Sequence, residues 1–446
     1  TTNAFNVFIG SPSTNLVALP SPYSGLSATI ENCEVSASAT PIGQRFNVPA
    51  TVDETFEVAS IPIFQFLIFY NLNLEIDAGQ PLVAVGPVFS NGSMWTGATD
   101  VTFSNTVWCV GTNVNGGSDP FAYSYSGSGP SVFKYPGQPV TGVTSLTLPV
   151  AGINNTNNNA TNIESLLQWP PSTYALGSAN AYTTNGQVYL ANAADLIISN
   201  SPTGTNWGSL TPAGTNFTVY YQDPNLSPSL TNIPYDFYII TNSKLASAPR
   251  IYLTNYIAPN VLGTNANGYT NILYAGYTFL TNVLFYDWRE GWNGGSGVNG
   301  KGKPVQAVQF SVTNFNAWLS NTNINGTTNI NGGKYFNTLC NSGSHKSHPI
   351  DGIYIYTSVP FTTSCLPAVR VINGARLYDS HGLTFATPFP IYVLGDYNTM
   401  DGVGSNAGQN TVNHTRPAGL LCDAITILSS SWLDSVTNSV LSGNSP

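Results

Sequence analysis

Leu82-Val-Ala-Val-Gly-Pro-Val-Phe-Ser-Asn-Gly-Ser-Met-Trp-Thr96 decides the fold class of this chain. Short β-branched and aromatic runs are cut by Gly86-Pro87 and Asn91-Gly92, and none is long enough for a helix. Asn-Gly marks a turn because glycine, and to a lesser degree asparagine, enters left-handed backbone at low cost. Apolar runs bounded by such turns read as strands. The texture extends outward to 72–76, with Asp77-Ala-Gly79 as a turn, and to 101–103 and 107–110. It returns at 368–372, 383–386, 391–394 and 424–428, where Asn373-Gly374 supplies a turn. These stretches predict a mainly all-β protein whose core has two halves, β-helix-like or a sandwich, with a few short helices. Spacings vary, so no strict repeat of the kind a regular solenoid carries is present.

On this reading residues 1–59 form an N-terminal strand region and 60–112 the first half of the core. Residues 113–350 are an inserted Asn/Thr-rich β region, and 351–446 are the second half with a C-terminal helix. The insertion holds the low-complexity runs 154–161 and 321–329, rich in Asn and Thr, and the glycine-rich run 294–302. Helical periodicity is confined to 163–168, 313–319 and 430–440.

Only 7% of residues are charged, against about 25% in ordinary globular proteins. Amides and hydroxyls must therefore cover the surface, and such a surface opposes self-association weakly. The formal charge is −9, and the 12 basic residues are spread thinly from Arg45 to Arg416. The absence of any Lys/Arg run argues against nucleic acid and anionic lipid as partners. The longest apolar run, 61–70, is half the length of a membrane span and includes Pro62 and Gln65. A first residue Thr1 suggests a processed, exported protein, attached to a membrane only through an anchor preceding this chain. The five cysteines (33, 109, 340, 365 and 422) are too few for a disulfide scaffold. Cys340 and Cys365 flank one segment and are the expected disulfide, with buried thiols as the alternative for all five.

Chemistry-bearing groups are sparse. His345-Lys-Ser-His348 has a spacing found in metal sites, but its Gly/Ser-rich surroundings offer no reliable further ligand. Asp287 and Glu290 around Trp288 and Arg289 could make a glycosidase pair beside a stacking ring, although a structural ion pair explains them better. Asp396, Asn398 and Asp401 offer oxygen ligands, but not in the order of an EF-hand loop. No nucleophile elbow, P-loop or dinucleotide fingerprint occurs. The expectation is no catalytic residue, no metal and no cofactor. Asn-x-Ser/Thr sequons such as Asn91 permit glycosylation without requiring it.

Asn3-Ala-Phe-Asn-Val-Phe-Ile9 alternates polar and apolar residues, so Phe5, Val7 and Ile9 share one face of a strand. It has no obvious hairpin partner. A lone strand exposes unpaired backbone groups, and these three residues are the expected self-assembly contact with a neighbouring copy. Pairing inside its own chain is the alternative.

Several blocks carry a family resemblance. Ile61-Pro-Ile-Phe-Gln-Phe-Leu-Ile-Phe-Tyr-Asn71, Leu74-Glu-Ile76 and Gly86-Pro-Val-Phe-Ser-Asn-Gly92 resemble large bacterial envelope proteins described as PilX-like pilus-assembly proteins. Phe285-Tyr-Asp-Trp-Arg-Glu-Gly291, Trp318-Leu319, Gly382-Leu-Thr-Phe-Ala-Thr-Pro388, Tyr392-Val-Leu-Gly-Asp-Tyr-Asn398 and Asp423-Ala-Ile-Thr-Ile-Leu-Ser-Ser-Ser-Trp432 follow in the same order. Members usually begin with a pilin-like apolar helix, which this sequence does not show. The resemblance implies an envelope or filament role and brings no catalytic residues. The expected function is a secreted or surface-exposed structural subunit whose partners are copies of itself. Surface glycans are a second class of partner, for an adhesin. A polysaccharide-degrading β-helix enzyme is a further alternative, though the Asp/Arg/Lys-lined groove it needs leaves no trace in the sequence.

Overall fold

The computed structural model describes residues 3–9, 13–41, 48–76, 81–96, 101–115, 130–135, 137–146, 165–176, 178–201, 217–221, 238–245, 248–255, 269–272, 279–287, 303–320, 337, 340–341, 348–362, 365–378, 381–400 and 415–434. Strands dominate, and the mainly all-β class holds. The chain forms two compact units, Thr1–Thr147 and Leu148–Pro446.

The first unit opens with β1 (Asn3–Ile9), β2 (Ser13–Ala18), β3 (Ser27–Pro41) and β4 (Ala50–Ser60). Long β3 lies at the centre of this sheet. β1 pairs antiparallel with its 35–41 end, β2 with its 27–32 end, and β4 runs along its other side. The N-terminal strand is thus partnered within its own chain, Phe5 opposite Ala39, Val7 opposite Ala37 and Ile9 opposite Val35.

Ten short strands follow: β5 (Ile68–Tyr70), β6 (Leu74–Ile76), β7 (Leu82–Ala84), β8 (Val88–Ser90), β9 (Met94–Thr96), β10 (Val101–Phe103), β11 (Val107–Cys109), β12 (Asn113–Asn115), β13 (Val132–Phe133) and β14 (Val140–Thr141). They visit three parallel ladders in rotation: β5-β8-β11-β14, β6-β9-β12 and β7-β10-β13. Each circuit returns to its ladder one strand further on, as in Ile68, Val88 and Val107. In three-residue strands the two end side chains share a face. Leu74 and Ile76, Val101 and Phe103, and Val107 and Cys109 accordingly point into one buried core. Phe103 stacks on Phe133 with ring centres 4.9 Å apart. The middle residues face outward, and there Phe89 and Trp108 pack with Leu26 at the base of the β3 sheet. The Gln65 side chain fastens that base by bonding both the N–H and the carbonyl of Ser27.

The second unit contains β15 (Leu196–Asn200), β16 (Phe217–Tyr221), β17 (Tyr238–Leu245), β18 (Ala248–Asn255), β19 (Tyr269–Ile272), β20 (Leu280–Asp287), β21 (Lys303–Ser311), α1 (Val312–Ser320), β22 (Gly352–Thr357), β23 (Leu366–Arg376), β24 (Leu383–Ala386), β25 (Ile391–Met400), β26 (Ala418–Leu421) and β27 (Ile425–Leu428). From β21 onward successive strands alternate between two sheets. One holds β15-β22-β24-β26 in parallel, extended antiparallel by β16 to β19; the other holds β21-β23-β25-β27 in parallel, edged by antiparallel β20. Side chains of both sheets interlock in one core, including Ile353, Ile355 and Phe385 from the first and Phe310, Val369 and Ile391 from the second. The expected helix at 313–319 lies inside α1. Its Phe315 and Trp318 cover the core end, 5.4 and 5.2 Å from the Phe279 ring.

Two expectations about layout change. No described strand between 82 and 110 shares a sheet with one between 383 and 394. The two stretches have similar texture because each builds parallel ladders of its own. Nor is 113–350 an insertion into one core: β12 to β14 continue the first unit's ladders, while β15, β20 and β21 are full members of the second unit's sheets. At the C-terminal end, residues 430–433 are turn and irregular, and 435–446 lie outside the described residues.

Candidate functional site

The sheet of β1 to β4 is two-faced. Register puts directly opposed residues on one face. Val58, Phe56, Glu54 and Val52 of β4 therefore share a face with Glu31, Cys33, Val35 and Ala37 of β3, where Leu16 of β2 stands opposite Thr29. Thr51, Asp53, Thr55 and Glu57 occupy the other face beside Glu34, Ser36 and Ser38. All of β4 is exposed. Along the apolar face Leu16 is 74%, Val52 67%, Val58 55% and Phe56 49% exposed. Isolated exposed apolar residues are ordinary, whereas several on one sheet face mark a candidate interaction surface; Glu31 and Glu54 stand among them on this face. Among the described strands β1 and β4 each pair only with β3. Asp53, Glu54 and Glu57 place charge along the β4 edge, a common guard against indiscriminate strand addition. By the same register Phe5, Val7 and Ile9, opposite Ala39, Ala37 and Val35, stand on this face as well; the exposure given for it is that of β4 and β2.

In the second unit Cys340 and Cys365 are both thiols, so the expected disulfide does not form. Cys340 faces Asp195, with Sγ 3.8 Å from Oδ1, while Cys365 leads into β23 and bridges to Thr362. Asp195, Cys340 and His348 offer ligand atoms that all lie within 4.8 Å of one another. His345 and His414 fall outside the described residues. Asp287 is buried and accepts a 2.9 Å hydrogen bond from the Tyr392 hydroxyl; Trp288, Arg289 and Glu290 are not described. The Asn398 side chain is committed to the Arg416 backbone: Oδ1 accepts from Arg416 N at 2.8 Å, and Nδ2 donates to Arg416 O at 2.7 Å. Its φ of 56° makes asparagine suitable there. Asp401 lies outside the described residues. The Asn91 amide is consumed by Asn71 Oδ1 and by Leu146 N and O, which ties two turns of the coil to its last segment.

Other titratable groups are shaped mainly by burial. Loss of hydration pushes the Cys109 thiol up to about 11 and Cys422 up to about 12. It also raises Tyr354 and Tyr397 above the ordinary phenol range, and Asp423 above the ordinary carboxylate range. Arg370, nearly enclosed, makes a two-pronged pair with Asp434 at 2.6 and 2.9 Å. It also donates to Gln309 Oε1 and stands 4.9 Å over the Phe285 ring. Among the described residues no helix is long and apolar enough to cross a membrane.

Comparison with protein-family models, with curated proteins and with solved structures found no match.

Proposed function

We propose that this chain is a secreted or surface-exposed structural subunit that assembles with copies of itself into an extracellular filament or pilus-associated layer. The observation that carries the proposal is the apolar row of Leu16, Val52, Phe56 and Val58, exposed on one face of the N-terminal sheet. A second copy fits this surface on three grounds. The face is about 35 Å long and about 15 Å wide, from the length of β4 and three strand spacings. Two such faces stacked remove about 1,000 Å² from water, the lower bound for a specific interface. Charge is sparse over the chain as a whole, and Glu31 and Glu54 are the acids that the stacked faces must accommodate. Stacking two identical faces pairs subunits about a two-fold axis, and the outer edges of β1 and β4 offer a second, head-to-tail contact. Two contacts of different kinds generate an open chain of pairs instead of a closed ring. The pilus-family likeness of the 61–92 blocks agrees with this use.

Negative-stain electron microscopy of the purified chain at rising concentration, with immunogold labelling of the source cells, tests the proposal. Ordered assemblies and surface labelling are expected. Dispersed single copies at every concentration, together with label confined to the cell interior, would overturn it.

A further inference from the structure

The geometry points to a zinc site in the second unit, built from Asp195, Cys340 and His348. Three separate chain segments deliver these donors: Asp195 leads into β15, Cys340 stands next to the turn at Asn341, and His348 precedes β22. Thiolate, imidazole and carboxylate together suit a borderline cation, and zinc takes all three. At the usual zinc bond lengths, a thiolate, an imidazole and a carboxylate on a tetrahedron have ligand atoms about 3.4–3.6 Å apart. Cys340 Sγ and Asp195 Oδ1 already lie at 3.8 Å. The remaining separations, within 4.8 Å, close by about 1 Å on metal binding, a movement well within one side-chain rotation.

The surroundings hold the ligands as metal sites require. Asp195 Oδ2 accepts from the backbone N–H groups of Asp351 and Gly352 at 2.9 and 2.7 Å, so the carboxylate keeps Oδ1 towards the thiol. His348 Nδ1 lies 2.7 Å from Pro349 O and 3.5 Å from Asp351 Oδ2. In the tautomer whose Nδ1–H donates there, Nε2 carries the lone pair, the arrangement that orients a ligating imidazole. Cys340 is fully buried and Asp195 nearly so, which leaves no room for a substrate at the thiol and argues against a cysteine nucleophile. The His348 side, 29% exposed, supplies a route for an ion from solvent. Binding forms a Zn–S bond and releases the Cys340 S–H proton to solvent; water completes the fourth position. Such a site clamps the start of β15 to the segment before β22, two strands that pair in parallel. The inference is independent of the assembly proposal, since all its residues lie in the second unit.

The test uses the full chain, stripped with a chelator and then titrated with zinc, and in parallel with cobalt(II) as a visible reporter. One equivalent of zinc per chain is expected, with a raised thermal midpoint, and cobalt should give a thiolate charge-transfer band with tetrahedral d–d bands. Cys340→Ser should abolish the charge-transfer band, and His348→Gln, at a partly exposed position, should weaken zinc at least tenfold. Failure of the wild-type chain to take up zinc in stoichiometric amount, or a cobalt spectrum without thiolate character, would overturn the assignment. An unchanged affinity in His348→Gln would remove that residue from it and overturn the three-ligand site.

Discussion

Gly92 sits where one turn of the first unit's coil presses on the turn before it, and its replacement by alanine is a direct test of that coil. A Cβ built on Gly92 would come within 2.6 Å of Asn73 N and 2.7 Å of the Leu72 carbonyl carbon, besides meeting Asn73 Oδ1. Backbone atoms cannot swing aside as a flexible side chain can. One circuit later a Cβ on Gly111 would meet the Ser93 hydroxyl and stand 3.0 Å from Ser93 N, a looser backbone contact, and Gly111 N donates to Gly92 O at 3.0 Å. Restoring ordinary contact means prising the two turns apart by about half an ångström or more, and overpacking of this kind costs about 1–3 kcal/mol. For a unit of this size each kcal/mol lowers the midpoint by about 2–4 °C, so Gly92→Ala should melt roughly 2–12 °C lower. Gly352→Ala is the control. Its Cβ would have Asp195 Oδ2 as nearest neighbour at 3.4 Å, and it should stay within about 0.5 kcal/mol of wild type. Scanning calorimetry reads both. If Gly92→Ala and Gly111→Ala each melt with the wild type, the parallel ladders do not stack as described.

Two further outcomes follow from buried charge and buried acids. Asp434→Ala strips the partner from Arg370, whose side chain is only 4% exposed. Loss of a buried partner costs about 3–5 kcal/mol, discounted to about 2–3 because the Asp434 end is partly solvated; Arg370→Met, which removes the charge as well, should cost less in urea denaturation, and the reverse order would contradict a stranded cation. Cys109 and Cys422 hold their protons more tightly folded than unfolded, up to about 11 and about 12. Their contribution to stability is therefore complete below about pH 8.5 and is lost as pH rises through those values. The raised Tyr354 and Tyr397 act in the same direction. Denaturation midpoints should fall steadily above about pH 9, and both thiols should resist disulfide reagents at pH 8 until the chain unfolds; a flat alkaline profile with fast labelling would refute this.

Features carried by neighbouring residues were legible in the sequence. Asn91-Gly92 did mark a corner, and Phe315, Trp318 and Leu319 at helical spacing did mark a buried helix face. Pairing over long separations left no local trace. β1 finds its partner in the 35–41 end of β3, beyond β2, so a strand with no adjacent hairpin looked partnerless. β15 pairs with β22, Leu196 opposite Ile353, across the Asn-rich run 321–329, whose composition suggested an insertion. The similar texture of 72–110 and 368–428 suggested a shared sheet because short parallel strands look alike whichever ladder they join. The cluster of Asp195, Cys340 and His348 was invisible for the same reason: its members are brought together by β15 and β22, and spacing alone paired Cys340 with Cys365. The apolar row on β4 was available in Val52, Phe56 and Val58 alternating with Asp53, Thr55 and Glu57, but Glu54 interrupts it.

The association of copies through the N-terminal sheet is tested most directly by sedimentation velocity of the wild-type chain and of a Phe56→Asp, Val58→Asp double variant, over a wide range of concentration. Both side chains are about half exposed, so the variant should melt with the wild type. The wild type should sediment as dimers and larger species whose proportion rises with concentration, and the variant as a monomer throughout. A wild type that stays monomeric at the highest concentration, or a variant that assembles as readily, would contradict the account.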